Sequence, residues 1–181
     1  MPSTSTPPER LILERLATPI GTALVVTDET GALRAFNWTD YEPRMLSWIA
    51  RHYPAAALAE ARAAPAVRAG LLAYFDGDPS ALDALPWRAS GTAFQLQVWE
   101  ALCTIPSGQT LSYRQLAQTI GRPSAVRAVG LANGANPVAV VVPCHRVIGA
   151  DGSLTGYGGG LTRKRWLLAH EGAALKEGLA A

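Results

Sequence analysis

Three short runs that alternate hydrophobic and polar residues follow a polar N-terminal stretch. Turn-forming residues at 19–21 and 28–31 separate the runs, which predicts an antiparallel meander. The strands are expected at Leu11–Ala17, Thr22–Thr27 and Leu33–Trp38. Residues 1–9 lack the apolar stretch of a secretion signal and are interpreted as a disordered tail.

Two alanine-rich segments with helical periodicity come next, and each begins with a proline, which suits the first turn of a helix. We expect helices near Pro43–His52 and Pro65–Phe75. Gly and Pro at 77–79 then break the pattern, and Leu82–Ser90 is predicted to be an extended linker. Because this half of the chain does not concentrate reactive side chains, its expected role is structural.

Helical periodicity resumes after residue 90 with two capping boxes, Thr92–Gln95 and Ser112–Gln115. The second of these helices ends at Gly121, and Pro123 can begin another helix almost at once. Two helices joined by so short a turn form a candidate helix-turn-helix. Many helical hairpins bind nothing, so the motif alone does not establish a DNA-binding function.

The last helix of that motif, Ser124 to about Asn133, contains mostly small residues around Arg127. The small residues are Ala125, Ala128, Gly130, Ala132 and Gly134. They allow either close packing against another helix or the approach of a bare helix face to a bulky partner. A DNA groove suits the second arrangement, with Arg127 projecting into it, and the residues alone favour neither.

Charge and composition narrow the function classes only slightly. Residues 1–90 hold 8 Lys and Arg against 10 Asp and Glu, a net of −2, whereas residues 91–181 hold 8 against 4, a net of +4. This asymmetry points weakly to a polyanion near the second half.

No apolar run reaches the roughly 18 residues of a membrane span. The two cysteines form no CxxC pair, so we expect a reducing, cytoplasmic setting.

Cys144, followed by His145 and Arg146, is the candidate nucleophile. A nearby imidazole and guanidinium favour the thiolate of a group whose pKa is ordinarily near 8.5. The apolar run Val138–Val142 before it is predicted to be a buried strand or extended segment, on which adjacent side chains point to opposite faces. Contact between Cys144 and His145 would then need a turn or a bridging water. Cys103 is interpreted as a buried structural cysteine.

The glycine-rich loop Gly152–Gly160 carries one aromatic residue, Tyr157, and lets backbone approach a ligand closely. Its glycine order does not match a dinucleotide fingerprint, so a phosphate cradle is not expected. A last helix is predicted at Thr162–Glu171, and Glu171 near its end is a candidate to orient His145.

Three cations at the start of this last helix oppose the helix dipole, which favours acids at that end. They are Arg163, Lys164 and Arg165. The arrangement indicates either a solvated face or a contact with phosphate.

Several sequence blocks occur in one order along the second half of the chain. They are FQ–VW within Phe94–Trp99, IPSGQTLSYRQLA, GRPSAVRAVGLANGANP, VVPCHRVIG, GYGGG and KRWLLAHEG. In these blocks the chain resembles the methylated-DNA–protein-cysteine methyltransferases, also called O6-alkylguanine-DNA alkyltransferases. The first half resembles, more loosely, the N-terminal domain of their bacterial Ogt-type branch, in Thr18–Gly21 and Leu33–Ala35.

Pattern and resemblance together predict an α/β (α+β) fold of two domains. Residues 10–88 would form a structural domain with a small antiparallel sheet and helices. Residues 89–175 would form a mostly helical domain that carries the helix-turn-helix and the active site. Residues 176–181 would be a tail.

The resemblance implies direct reversal of DNA damage without a cofactor. The alkyl group of O6-alkylguanine, and of O4-alkylthymine, would pass irreversibly to Cys144, once per protein molecule. His145 would act as a base through a water molecule, and Glu171 would align and charge the imidazole. Tyr113 would donate a hydrogen bond to the departing guanine, and Asn136 would brace the turn that carries the cysteine.

The resemblance also implies that a monomer binds duplex DNA through the minor groove and extrudes the damaged base, while Arg127 fills the gap. The implied DNA contacts are Arg127, Ala125, Ala128, Gly130, Ser112 and Tyr113. The implied base pocket is formed by Val147, Tyr157 and Gly158. Because glycine is the smallest residue, position 158 suggests tolerance of alkyl groups larger than methyl.

Some relatives bind zinc through cysteines and histidines of the N-terminal domain. Here that half contains only His52 and no cysteine, so no metal is predicted. A non-catalytic sensor of alkylated DNA is the main alternative function, although that branch carries tryptophan in place of the reactive cysteine.

A transcriptional regulator and a cysteine hydrolase are further alternatives. The recognition helix has almost no Asn, Gln or Lys to read base edges, which argues against the regulator. Turnover of an ester substrate would identify the hydrolase.

Overall fold

The structure, a computed structural model, describes residues 7–175, so residues 1–6 and the predicted tail 176–181 lie outside the described part. Glu9, which the sequence assigns to the N-terminal tail, is held by the sheet. Its N–H donates to the Glu29 carboxylate, and its carbonyl accepts from the N–H of Ala57. The structured chain therefore begins before residue 10, and the predicted tail is too long at this end.

The predicted meander is present, as strands β1 (Arg10–Thr18), β2 (Gly21–Asp28) and β3 (Leu33–Trp38). A fourth strand, β4 (Ala57–Glu60), pairs in parallel with β1, so the sheet is mixed and has the order β3-β2-β1-β4. The predicted antiparallel meander therefore has one additional, parallel strand at this edge. All four residues of β4 are exposed, so the strand shows no alternation of buried and polar positions.

Six α-helices accompany the sheet within the described residues. They are α1 (Glu42–His52), α2 (Pro65–Phe75), α3 (Ala93–Leu102), α4 (Tyr113–Thr119), α5 (Val126–Gly134) and α6 (Leu161–His170). Both predicted capping boxes are formed, at the start of α3 and of α4. Helices α4 and α5 form the helical pair of the candidate helix-turn-helix, and α5 begins two residues later than predicted. Two short strands, β5 (Leu111–Ser112) and β6 (Val147–Ile148), pair in parallel.

Two connecting segments cover the free edge of β3. The predicted linker, Leu82–Ser90, contacts this edge at Leu33. The Leu33 N–H donates to the carbonyl of Pro86, and the Leu33 carbonyl accepts from the N–H of Arg88. Further along the same edge, the N–H of Phe36 donates to the carbonyl of Pro137. Strand β3 thus fixes the chain just before the candidate nucleophile.

The apolar run before Cys144 is a buried series of turns, so the expectation of a strand or extended segment is wrong. Within it, Val140 adopts a φ of 71°, which a β-branched residue rarely does. An apolar run alone does not distinguish turns from a strand, because both conformations bury the same side chains.

The larger hydrophobic core joins both halves of the chain. It contains Phe36, Trp38 and Tyr74 from the first half, and Val98, Trp99, Leu102 and Val142 from the second. A smaller core lies between α1 and the sheet, around Leu11, Leu24 and Met45. No helix in the described part of the chain is long and apolar enough to cross a bilayer.

Candidate active site

Cys144 begins a single turn of 3-10 helix, Cys144–Arg146, and its side chain is buried. Asn136 holds the turns that lead to it. The Asn136 side-chain amide donates to the carbonyl of Val142 at 2.8 Å, and its oxygen accepts from the N–H of Val138 at 3.0 Å. The N–H of Cys144 donates to the same Val142 carbonyl, so Asn136 fixes the loop that presents the cysteine.

His145 and Glu171 form a buried pair. His145 Nε2 lies 2.8 Å from Glu171 Oε1, and neither side chain is exposed. Because a carboxylate only accepts, Nε2 carries the proton and Nδ1 carries the free lone pair. Among the described residues Nδ1 has no hydrogen-bond partner. Burial lowers the pKa of His145 against the opposing effect of Glu171, so the imidazole is neutral and able to accept a proton at Nδ1.

Glu171 also binds Arg146 in a bidentate pair, with Nε to Oε2 at 2.8 Å and Nη2 to Oε1 at 3.0 Å. Burial alone would raise the pKa of this carboxyl. The hydrogen bonds and charges of His145 and Arg146 outweigh burial and hold the pKa well below its usual range. Glu171 is therefore a permanent anion behind the imidazole.

The thiol itself is not activated in the way the sequence suggested. Burial raises the pKa of Cys144, although the Asn136 side chain and the charge of Lys164 favour the thiolate. Arg146, expected to favour the thiolate, is bound to Glu171 instead. The resting thiol is thus protonated and needs a base.

Cys103, expected to be buried, is exposed at the C-terminal end of α3.

Lys164 lies inside the protein rather than on a solvated or phosphate-binding face, so that expectation is wrong for this residue. Its Nζ donates to the carbonyls of Val147 and Thr155, at 2.6 and 2.8 Å. Burial lowers its pKa to about 8. Arg163, at the same helix start, pairs with Asp40 at 2.6 Å. The helical pattern contains no signal for a buried cation, because Lys normally lies outside.

A cavity of about 630 Å³ opens at Cys144. Asn136, Tyr157 and Gly158 line it together with the cysteine. A Cβ atom added at Gly158 would meet no atom within 4 Å, so residue 158 borders open space. Val147 is not among the residues that line the cavity. Its side chain is buried, and its carbonyl accepts from Lys164.

The predicted DNA-binding residues lie on the helical pair beside this cavity. Arg127 and Ala128 are exposed on α5, whereas Ala125 and Gly130 are half-buried. The Ser112 side chain caps α4, where it accepts from the N–H of Gln115. Arg127 is at the opposite end of α5 from the residues that line the cavity.

Tyr113 connects the helical pair to the glycine-rich loop. Its ring lies beside α5, where a Cβ on Gly130 would be 3.8 Å from it, and its hydroxyl donates to the carbonyl of Thr155 at 3.3 Å. Burial raises the pKa of Tyr113, so the hydroxyl is a donor at neutral pH.

The sequence analysis did not predict one residue that binds Glu171. The Tyr74 hydroxyl, on α2, donates to Glu171 Oε1 at 2.8 Å. The apolar pattern of α2 predicts a buried ring at this position but contains no signal for the partner of its hydroxyl. Across residues 7–175, no three His, Cys, Asp or Glu side chains lie close enough together to hold a metal ion.

Comparison with known sequences gives a consistent family. The sequence model for the DNA-binding domain of 6-O-methylguanine DNA methyltransferase matches residues 93–173. A methylated-DNA–protein-cysteine methyltransferase of Shigella flexneri is 48% identical over 168 residues, which cover 92% of this chain and 98% of the relative. That of Salmonella typhimurium is 50% identical with the same coverage.

Solved structures agree with these relatives. The O6-methylguanine methyltransferase of Mycobacterium tuberculosis has a TM-score of 0.73 and 40% identity, with 90% of this chain and 93% of that chain covered. A Mycobacterium tuberculosis OGT in complex with DNA has the same TM-score and identity, with 89% and 92% covered. The extent of these matches places this chain in the methylated-DNA–protein-cysteine methyltransferase family.

Proposed function

We propose that this protein repairs alkylated DNA by direct reversal, with Cys144 as the acceptor of the alkyl group. The observation that carries the proposal is Cys144 at the cavity, followed directly by His145 in its buried pair with Glu171, in a chain of this family. The substrate is O6-alkylguanine. O4-alkylthymine has a comparable alkyl–oxygen bond and is proposed as a second substrate.

The reaction needs no cofactor. His145 Nδ1 takes the thiol proton through a water molecule, and the thiolate sulfur attacks the alkyl carbon. The bond from that carbon to O6 breaks, and the electron pair stays with the base. The departing guanine gains one proton, which balances the proton lost by Cys144. Tyr113 donates a hydrogen bond to the base and makes it a better leaving group.

We further propose that α5 enters the minor groove of duplex DNA as part of a monomer. Ala128 and Gly130 give it a narrow face, and Arg127 occupies the space of the extruded nucleotide. Unstacking a base costs a few kcal/mol, and less for a lesion that pairs poorly, which contributes to selectivity.

In this proposal residues 89–175 carry DNA binding and chemistry, and residues 10–88 form the supporting domain. The acceptor thiol has to stay reduced before it meets a lesion, which suits the cytoplasm.

A titration tests this function. The protein is mixed with increasing excesses of a duplex that contains one O6-methylguanine, and the repaired lesions per protein molecule are counted. The proposal predicts a plateau at one, which longer incubation does not raise. A plateau at zero with retained binding would identify a lesion sensor, and continued turnover would identify a true catalyst.

A further inference from the structure

The first half of the chain contributes a side chain directly to the catalytic relay. Tyr74 on α2 is fully buried, and its hydroxyl donates to Glu171 Oε1 at 2.8 Å across a sequence separation of 97 residues. Burial and the neighbouring Glu171 charge raise the pKa of Tyr74 far above its usual range. The hydroxyl therefore remains a donor at every pH at which the protein is active.

The surroundings of Tyr74 leave it little freedom. Its ring has edge contacts with Phe75 and His170, at centroid distances of 5.2 and 5.1 Å. His170 also donates through Nε2 to the Tyr74 carbonyl. A hydroxyl held in this way fixes the oxygen atom to which it donates.

Glu171 Oε1 receives three donors, from Tyr74, His145 and Arg146. Rotation of the carboxylate away from His145 would break the Tyr74 bond inside the core, where an unpaired hydroxyl costs about 1–3 kcal/mol. The tautomer of His145 depends on Oε1, because that oxygen accepts the proton-bearing Nε2.

We propose that Tyr74 is a positioning residue for alkyl transfer. It holds Glu171 so that His145 keeps its proton on Nε2 and presents a basic Nδ1 to the thiol. This assignment rests on the proposed function. It makes the first half of the chain part of the reaction as well as of the fold.

Single-turnover kinetics of Tyr74→Phe test the assignment, since this change removes only the hydroxyl. We expect the transfer rate at saturating lesion duplex to fall about 10-fold, less than the roughly 100-fold that a 1 Å misplacement of a catalytic group can cost. Transfer from free O6-methylguanine base should fall by the same factor, because the relay acts on the thiol whether or not DNA is bound. The affinity for lesion duplex should stay within about twofold, since α2 lies outside the helical pair.

Tyr53→Phe is the matched control. Tyr53 is also buried in the first half, but its hydroxyl accepts from the N–H of Ser90 rather than contacting Glu171. Transfer rates of Tyr74→Phe within twofold of wild type, or an equal loss in Tyr53→Phe, would overturn the assignment. A wild-type protein that takes up no alkyl group would instead contradict the proposed function beneath it.

A different observation carries a second proposal, about the mouth of the cavity. From Cys144 the cavity extends to α1, which contributes Arg44, Arg51 and His52 to its lining. No Asp or Glu is among the described residues that line it. Arg44 and Arg51 are exposed, and within residues 7–175 neither has a hydrogen-bond or ion-pair partner.

A nucleotide whose base enters this cavity stays joined to the strand by a phosphate on each side. Those phosphates have to remain at the mouth, where α1 offers two unpaired guanidinium groups, which bind phosphate well. We infer that Arg44 and Arg51 bind the backbone phosphates that flank the extruded nucleotide. This inference also rests on the proposed function.

The salt dependence of binding tests the inference. In a Cys144→Ala background, Arg44→Gln and Arg51→Gln should each reduce the slope of log affinity against log salt by about 0.9. Arg62→Gln, an exposed arginine outside the cavity, should leave the slope unchanged. Unchanged slopes in both α1 variants, or an equal change in Arg62→Gln, would overturn the inference.

Discussion

Burial sets what the proposed reaction requires at Cys144. A buried thiol favours its neutral form, so its pKa is raised, and in the proposed reaction His145 removes the proton. Protonated thiols react slowly with the abundant electrophiles of a cell. The arrangement therefore preserves an acceptor that can be used only once.

After the Asn136 side chain, the charge of Lys164 favours the thiolate of Cys144. In a Cys103→Ser background, alkylation of wild-type Cys144 by iodoacetamide should still accelerate above pH 9, because the thiol pKa is raised. Lys164→Met removes the buried charge. Because the pKa of Lys164 is about 8, the variant should react more slowly than wild type below pH 8 and at the same rate above pH 9. The rate is followed by intact mass at each pH. A wild-type plateau below pH 8, or an equal slowing in Arg165→Met, would contradict this account.

Gly158 should set the size limit of the alkyl group. A side chain at 158 meets open space, so Gly158→Phe should fold normally and occupy cavity volume. We expect removal of O6-butylguanine to slow at least about 10-fold, equivalent to about 1.4 kcal/mol, while removal of methyl changes little. Comparison of both lesions in single-turnover assays gives the answer. Butyl transfer that is equal or faster in the variant would show that residue 158 does not limit the pocket.

At the scale of elements, the two ends of α5 have different surroundings, which suit the two roles proposed for it. Its exposed face carries Arg127 and Ala128, and its C-terminal end borders the cavity through Asn133 and Gly134. In the proposed complex, the beginning of this helix would contact the duplex and its end would border the extruded base.

Arg127→Ala should therefore slow repair of lesion duplex, by about 10-fold or more, because the extruded base is no longer replaced in the stack. Transfer from free O6-methylguanine should stay normal, since the relay is untouched. Arg62→Ala is the matched surface control. Loss of free-base transfer with normal duplex repair would show that the roles are misplaced.

Elements with a local signal could be predicted from the sequence, and the others could not. The Thr92 and Ser112 side chains each cap a helix by a hydrogen bond to a residue three positions later, so the sequence spacing was sufficient to predict where these helices begin. β4 was missed because its partner β1 lies far away in sequence and its own residues are exposed. The turns around Val140 were predicted as extended because their shape depends on Asn136 and on the edge of β3.

At the scale of the whole molecule, the two halves share the larger hydrophobic core and are joined by hydrogen bonds at the candidate active site. Tyr74 and Phe36 from the first half contact Glu171 and the segment before Cys144. The sequence identified Cys144, His145 and Glu171 through local blocks and family resemblance. It did not identify Tyr74, because nothing near Tyr74 in sequence indicates a partner 97 residues away.

The buried contacts of Glu171 should make the free energy of unfolding depend on pH in the acidic range. The pKa of Glu171 is lower in the folded than in the unfolded chain, so unfolding takes up a proton at acidic pH. The corresponding stability is complete above the unfolded pKa, near 4.3, and is lost as the pH falls below it, at up to about 1.4 kcal/mol per pH unit.

Urea denaturation between pH 7 and 3 measures this effect. Glu171→Gln should lower the free energy of unfolding by about 3–5 kcal/mol at pH 7, because it leaves the buried charge of Arg146 without an opposite charge. Its remaining stability should change less with pH than that of wild type. Glu100→Gln, at an exposed site, is the control. Parallel curves for wild type and Glu171→Gln would contradict the assignment of this network.

The mass of the intact protein tests the central claim most directly. Equimolar protein and duplex with one O6-methylguanine are incubated, and the protein is weighed and digested. The account predicts a mass increase of one methyl group in place of hydrogen, located on the peptide that contains Cys144 and absent from Cys144→Ala. An unmodified wild-type protein, or a methyl group on Cys103, would contradict it.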